Sequence, residues 1–217
     1  MKGKNRYAKN ICILVLGIFS FVLLCLLAKN YSLPFLQEID AKILQFMVGH
    51  TNRNMTAVMN IITFFGTIGG VTLILILMIL ISRFQKEMLL YSVLVLFTYL
   101  INGFIKNIVM RPRPNVTHLT FADGYSFVSG HSSISIVLSV TLIAFFVPKI
   151  KKDVLRNYVT VFLCILPFCI AISRMYLRVH YFTDILGGWF VAVTYLCILY
   201  FGFYFIADRK RGKTHDK

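Results

Sequence analysis

Residues 185–207 read ILGGWFVAVTYLCILYFGFYFIA, a run of 23 positions without a single charged side chain. A helix needs about 20 consecutive apolar residues to cross the hydrocarbon layer of a bilayer. The apolar positions here are continuous, whereas the strands of a membrane barrel would alternate apolar and polar residues. This stretch therefore predicts a transmembrane helix.

The rest of the chain has the same character. Of its 217 residues, 58% are hydrophobic and 14% are charged, and the mean hydropathy is +0.77. This balance is too apolar for a soluble domain, whose core is diluted by a polar surface. We expect an all-α bundle of six transmembrane helices, forming one membrane domain over residues 11–207 between basic segments at 1–10 and 208–217. The predicted spans are 11–28, 61–81, 88–105, 132–147, 158–172 and 185–207.

The first predicted span follows a basic head, which is also how a secretory signal begins. The sequence shows no clear small-x-small cleavage pattern after it. We expect this span to be retained as a signal anchor.

The segment 33–60 differs from the spans because charges are scattered among its apolar residues. Phe35, Ile43 and Phe46 recur close to helical spacing. The pattern predicts an amphipathic helix on the outer membrane surface, and a solvated loop is the alternative. The Phe and Gly residues at 64–70 indicate close helix packing or a break near the start of the second span.

The distribution of basic residues predicts the orientation of the chain. Of the 23 Lys and Arg, 15 fall in the N-terminal head, the second and fourth connections and the tail. Cytoplasmic segments carry such an excess, so we expect a multi-pass cell-membrane protein with both termini in the cytoplasm. These basic segments should attract anionic lipid, and we expect no nucleic-acid partner. The other side carries Lys29, Lys42, Arg53, Lys106, Arg111, Arg113, Arg174 and Arg178.

The third and fifth connections concentrate polar side chains beside membrane helices, where such groups are costly without a task. Because both connections follow odd-numbered spans, they should open on the same outer face. We interpret Arg111, as well as Arg178, as an interfacial or lipid-contacting charge. The candidate functional residues are Lys106, Arg113, Ser129, Gly130 and His131 in the third connection and Ser173, Arg174, His180 and Asp184 in the fifth.

These residue types suit a phosphate group. The Ser-Gly-His triplet at 129–131 directly precedes the fourth span, so its backbone N–H groups lie near a helix N-terminus that favours an anion. Three cations, Lys106, Arg113 and Arg174, can neutralise a phosphate monoester and the further charge that builds during its transfer. The pattern therefore predicts a phosphate site on the outer face.

His180 and Asp184 stand four positions apart. If the sixth helix starts early, its first turn places both side chains on one face. A carboxylate in that place can hold an imidazole in one tautomer and leave its other nitrogen free to attack.

Taken together, these residues resemble the type 2 phosphatidic acid phosphatases, a superfamily that also includes vanadium haloperoxidases and bacterial acid phosphatases. The resemblance rests on three motifs in order: Lys-x6-Arg-Pro, Pro-Ser-Gly-His and Ser-Arg-x5-His-x3-Asp. One position departs from the pattern, since Val128 stands where the second motif has proline. The matching residues are Lys106, Arg113 and Pro114, then Ser129, Gly130 and His131, then Ser173, Arg174, His180 and Asp184.

The resemblance also implies roles. It implies that His180 is the nucleophile, His131 the general acid and Asp184 the residue that orients His180. It implies no metal ion or other cofactor. The implied phosphate-binding residues are Lys106, Arg113, Ser129, Gly130 and Arg174.

The expected activity is hydrolysis of a lipid phosphomonoester or diphosphate through a phosphohistidine. Candidate substrates are phosphatidic acid, phosphatidylglycerol phosphate and polyprenyl diphosphates. A lipid transporter or scramblase with a basic headgroup site is the alternative, although transport does not require the set of His131, His180 and Asp184. A vanadium haloperoxidase is disfavoured by the six spans.

Overall fold

The computed structural model describes residues 2–215, with side chains described for residues 7–204. Within this part of the chain every regular element is helical. The α-helices are α1 (Lys2–Asn30), α2 (Pro34–Gly49), α3 (Arg53–Phe64), α4 (Ile68–Ile81), α5 (Lys86–Val109), α6 (Gly130–Phe145), α7 (Asp153–Tyr176) and α8 (Phe182–His215), and one 3₁₀ turn covers Val147–Lys149.

Six membrane spans can be assigned to these helices. Helices α1, α5, α6, α7 and α8 are each long and apolar enough to cross a bilayer. Helices α3 and α4 pass the same criterion only together, as one span bent by 52°. The predicted all-α bundle with six spans is therefore confirmed.

The bend between α3 and α4 lies where the sequence indicated a break. Thr67 caps α4, because its hydroxyl oxygen accepts a hydrogen bond from the backbone N–H of Gly70 at 3.0 Å. A Cβ atom at Gly70 would lie 2.0 Å from the carbonyl oxygen of Phe64, so only glycine permits this close approach. The Thr67 cap and the close approach at Gly70 therefore fix the bend inside the second span.

The single amphipathic helix predicted over 33–60 is wrong in its length. The chain leaves helix after Gly49 and re-enters it at Arg53, since the side chain of Asn52 accepts a hydrogen bond from the Met55 N–H at 2.8 Å and caps α3. Among the described helices only α2 lies beside the spans, whereas α3 is the first arm of the bent span. Hydrophobic spacing continues across this corner, which is why the pattern did not reveal it.

Helix α6 lies at the centre of the bundle, in contact with α5, α7 and α8, while α1 packs along α8. Small residues allow this close packing: Ser132, Ser133 and Ser135 are all buried and donate their hydroxyl protons within the first turns of α6. The N-terminus of α6 is therefore surrounded by the ends of its neighbours.

Candidate active site

The second and third motifs meet through the backbone at one end of the bundle. The N–H of Ser129, the N-cap residue of α6, donates to the carbonyl oxygen of Asp184 in the first turn of α8 at 3.0 Å. Val128, which replaces the proline of the motif, is fully buried beside Phe127. The two connections that span counting placed on one face are thus in direct contact.

His180 and Asp184 form a buried pair. The Nδ1 atom of His180 lies 3.4 Å from Oδ2 of Asp184, which is ion-pair distance but not a hydrogen-bond geometry. The same Oδ2 accepts a hydrogen bond from the Tyr181 N–H at 2.8 Å, so the carboxylate is fixed on the turn that carries the histidine. His180 precedes α8 and does not lie in its first turn, because the helix begins at Phe182.

The surroundings of His180 keep its imidazole neutral. Burial lowers the pKa of His180 well below its usual value, and the charges of Arg174, Lys106 and Arg113 lower it further, while the Ser126 backbone acts in the opposite sense. A neutral imidazole retains the lone pair that a nucleophile needs.

His131 lies in the first turn of α6 and packs against the corner between α3 and α4. A Cβ atom at Gly66 would lie 3.0 Å from Cδ2 of His131. The Nε2 atom of His131 is buried and has no hydrogen-bond partner among the described residues. Arg174 and His180 lie near enough to His131 to interact with it electrostatically. An unpaired buried nitrogen costs free energy, so this atom is available to a ligand.

Arg174, at the end of α7, has N–H donors that are not used by other described residues. Its side chain is 4% exposed. One guanidinium nitrogen, Nη1, donates to the hydroxyl of Thr63 at 2.9 Å, whereas the buried Nε has no partner within the described part of the chain. A bound anion can therefore use this guanidinium without breaking an existing contact.

Arg113 is placed differently, since all three of its nitrogens donate to backbone carbonyls. Nε contacts Gly124 at 3.0 Å, Nη2 contacts Asp123 at 2.7 Å and Nη1 contacts Val179 at 2.7 Å. Burial lowers the pKa of Arg113, and the carboxylates of Asp184 and Asp123 act in the opposite sense. Arg113 thus joins the third connection to the fifth, and each of its two terminal nitrogens carries a second N–H besides the one that contacts a carbonyl.

Lys106, near the end of α5, also contacts carbonyls. Its ammonium donates to the backbone oxygens of Tyr125 and Ser126. The predicted phosphate-binding cations are therefore assembled around one site, and among these three only Arg174 has a buried nitrogen that makes no hydrogen bond within the described residues.

The start of α6 offers backbone donors to an anion. The first-turn N–H groups of a helix have no intrahelical acceptors. That of Ser129 is taken by Asp184, so the available donors begin at Gly130. Asn102 of α5 donates to the Ser133 hydroxyl at 2.7 Å, and Ser133 donates to the Gly130 carbonyl at 3.0 Å, which fixes this turn.

Arg111 does not contact lipid, as the sequence had suggested, but is buried in the same cluster. Its Nη1 donates to Oδ1 of Asp184 and to the hydroxyl of Thr183, both at 2.7 Å. Its Nη2 donates to Oδ2 of Asp40 in α2, also at 2.7 Å. The interpretation as an interfacial or lipid-contacting charge was wrong because Arg111 is paired with two carboxylates inside the protein.

Arg178, interpreted as an interfacial or lipid-contacting charge, is partly buried and makes two contacts within the protein. Its Nη2 donates to the Thr51 hydroxyl at 2.8 Å, and its Nη1 points to the carbonyl oxygen of Thr117 at 3.4 Å. The residue connects the corner between α2 and α3 to the third connection.

Sequence reasoning missed four residues that contact or position the motifs: Asp40, Thr63, Gly66 and Asn102. A signal existed for Asp40, because an acidic side chain interrupts the apolar face of α2. Gly66 was noted only as part of a helix break.

The fold and the site define a class of protein: a polytopic membrane protein with a buried histidine–carboxylate pair facing buried cations and a helix N-terminus. The chain belongs to the PAP2 superfamily, whose family model matches residues 87–208.

One curated relative is phosphatidylglycerophosphatase B of Bacillus subtilis strain 168, which is 33% identical over 91 residues. That alignment covers 41% of this chain and 44% of the relative, so it spans less than half the length of the relative.

Two solved structures share the fold. A transmembrane PAP2-type phosphatidylglycerolphosphate phosphatase from Bacillus subtilis superposes with a TM-score of 0.74 and 25% identity, covering 86% of this chain and 94% of the other. LpxE from Aquifex aeolicus superposes with a TM-score of 0.57 and 16% identity, covering 73% of this chain and 91% of the other, which shows a common fold alone. These similarities and the apolar helices establish a membrane protein.

Proposed function

We propose that this protein hydrolyses the phosphomonoester or diphosphate head group of a membrane lipid through a phosphohistidine at His180. The observation that carries the proposal is the arrangement of His180 beside Asp184 and near His131 and Arg174, whose buried Nε2 and Nε atoms have no partners in the described chain. Each group then has a separate task in one phosphoryl transfer.

In the proposed first step, Asp184 faces Nδ1 of His180, which leaves Nε2 to attack phosphorus. His131 enters this step as the imidazolium. The N–P bond forms while the bond from phosphorus to the oxygen on the lipid side breaks, and His131 donates its proton to that departing oxygen and becomes neutral. Arg174 and the N–H groups at the start of α6 stabilise the charge on the phosphoryl oxygens.

In the second step, His131 accepts a proton from water, and the resulting hydroxide attacks phosphorus as the bond from phosphorus to His180 breaks. Inorganic phosphate leaves, and both histidines return to their initial states. No metal ion takes part in this proposal.

We place phosphatidylglycerol phosphate first among the substrates, because the curated relative and the solved structure from Bacillus subtilis both carry that activity in their names. Phosphatidic acid and polyprenyl diphosphates remain candidates. The motifs lie at the ends of apolar helices, which suits a substrate whose tails stay in the bilayer while its head group reaches the site.

The proposed orientation places both termini in the cytoplasm and the site outside, with the basic cytoplasmic segments against anionic lipid. It rests on the excess of Lys and Arg, 15 of 23, in the segments assigned to the cytoplasm.

Phosphate release by the purified protein tests the function directly. The assay offers phosphatidylglycerol phosphate, phosphatidic acid and an undecaprenyl diphosphate in mixed micelles. We expect release from at least one lipid by the wild type and by His50→Ala, which removes an exposed histidine of the outer corner, and none by His180→Ala. Lipid binding without release by the wild type would contradict hydrolysis and favour a transporter.

A further inference from the structure

Helix α2 is held against the bundle in an unusual way. Of its 16 residues, all within the described chain, only Asp40 is buried, and it is 2% exposed. Large apolar side chains of the same helix, such as Phe35 and Phe46, are exposed. A surface helix usually buries an apolar stripe, so a buried carboxylate as its deepest contact requires an explanation.

Both oxygens of Asp40 bind groups that also contact or adjoin Asp184. Oδ2 accepts hydrogen bonds from the Thr183 hydroxyl at 2.6 Å and from Nη2 of Arg111 at 2.7 Å. Oδ1 accepts a hydrogen bond from the Thr183 N–H at 3.0 Å. Asp40 is therefore one contact away from the carboxylate that faces His180.

The guanidinium of Arg111 is divided between two carboxylates. Its two terminal nitrogens form a planar fork that could bind both oxygens of one carboxylate. Here Nη1 takes Oδ1 of Asp184, while Asp40 takes Nη2. Oδ2 of Asp184 consequently stays clear of the guanidinium and faces Nδ1 of His180.

Two aromatic rings fix the plane of this guanidinium. The central carbon of Arg111 lies 4.1 Å from the ring centroid of Tyr181 and 4.8 Å from that of Tyr31. A cation over the face of an aromatic ring is attracted to it, and these two contacts therefore restrict rotation of the guanidinium. The direction of each terminal nitrogen is therefore set by its surroundings.

We infer that Asp40 and Arg111 are positioning residues for Asp184, and that Asp40 keeps Oδ2 of Asp184 directed at His180 by occupying the second arm of the Arg111 fork. Without Asp40, Arg111 turns to chelate both oxygens of Asp184 and draws the carboxylate from the histidine. Helix α2 is thereby part of the machinery that orients the nucleophile. This inference rests on the proposed function.

The charges make Asp40→Asn the suitable variant. Removing Arg111 would leave two carboxylates buried and close together, which is strongly destabilising. Removing the charge of Asp40 instead leaves Arg111 and Asp184 as a neutral buried pair. The fold should therefore tolerate this substitution better than any change at Arg111.

The test measures kcat and KM for lipid phosphate hydrolysis by Asp40→Asn, Asp184→Asn and the double variant. We expect Asp40→Asn to lower kcat by about tenfold or more with little change in KM, as a small displacement of a reacting group does. Because Asp40 acts through Asp184, the double variant should be little worse than Asp184→Asn alone. Glu38→Gln, on the exposed side of the same helix and paired only with Lys42 in the ion pairs described, should behave as the wild type.

Two results would overturn the inference: wild-type kcat in Asp40→Asn, or losses that add fully in the double variant, which indicate a purely structural role. If Asp40→Asn does not yield folded protein, Asp40→Glu keeps the charge but carries the carboxylate one methylene further, so the direct contact with Nη2 of Arg111 is displaced. An unchanged kcat in that variant would equally overturn it. A wild-type protein that releases no phosphate would instead refute the proposed function, and the inference with it.

Discussion

The Nδ1 atom of His180 lies 3.4 Å from Oδ2 of Asp184, and the two side chains are 2% and 0% exposed. Water therefore does not compete for the imidazole, and the orientation of the ring depends on the protein alone. In the proposed reaction the carboxylate selects the tautomer that presents Nε2 and stabilises positive charge on the ring as phosphorus bonds to it.

The buried state of His180 predicts how stability depends on pH. Burial, followed by the nearby charges of Arg174 and Lys106, holds the pKa of His180 well below its usual value. The unfolded chain binds a proton at this histidine below about pH 6.5, whereas the folded chain does not. Acid therefore favours the unfolded state, by up to about 1.4 kcal/mol per pH unit.

Thermal unfolding in detergent checks this sign. Relative to His180→Gln, the wild type should lose stability as the pH falls from 7 to 5. His50→Gln, which removes an exposed histidine, should track the wild type. A wild-type midpoint that stays at a constant distance from that of His180→Gln over this range would show that His180 titrates normally in the fold.

Gly66 should be required for activity because of its contact with His131. A Cβ at this position would lie 3.0 Å from both Cδ2 of His131 and Cγ2 of Ile170. Gly66→Ala should therefore displace the imidazole and lower kcat by about tenfold or more, while the unfolding temperature changes little. Gly69→Ala is the matched control, since its nearest neighbour would be the Thr67 hydroxyl at 4.0 Å. Equal kcat values for the two variants would refute the contact as a source of positioning.

The role proposed for His131 predicts a dependence on the leaving group. His131→Ala should lower hydrolysis of a lipid phosphate by about 100- to 10,000-fold, because an alkoxide needs a proton as it departs. Activity on 4-nitrophenyl phosphate should suffer less, since nitrophenolate leaves as a stable anion. His180→Ala should abolish both activities. Equal losses on both substrates in His131→Ala would argue against its role as the general acid.

The orientation of the chain can be tested with reporter fusions. A reporter after Lys217 and one in the connection between α4 and α5 should lie in the cytoplasm, and one inserted within residues 115–125 should lie outside. Loops with fewer Lys and Arg residues are expected to face outward. Reporters after Lys217 and within 115–125 on the same side would rule out the six-span arrangement.

Local information was sufficient to predict the spans and the motifs. Hydropathy is a property of adjacent residues, so the runs at 88–105 and 185–207 predicted α5 and α8 without knowledge of their neighbours. The helical spacing in 33–60 was also local, but it could not show that Asn52 caps a new helix and divides the segment.

Long-range contacts were beyond such reasoning. Asp40 and Arg111 are 71 positions apart, and the residues next to each of them give no sign that the two side chains are in contact. Arg111 was therefore interpreted as an interfacial or lipid-contacting charge, although it is buried against Asp184. Similarly, the carbonyl contacts of Arg113 depend on how the third and fifth connections fold against each other.

Trapping the phosphoenzyme tests the central claim most directly. Wild-type protein is mixed with substrate labelled in its phosphate, quenched rapidly during turnover and analysed for protein-bound label. We predict label on the wild type that is released by acid, as expected of a phosphohistidine, and neither label nor turnover in His180→Ala; a chelator should leave the wild-type result unchanged. Absence of label on the wild type together with continued turnover by His180→Ala would contradict the account.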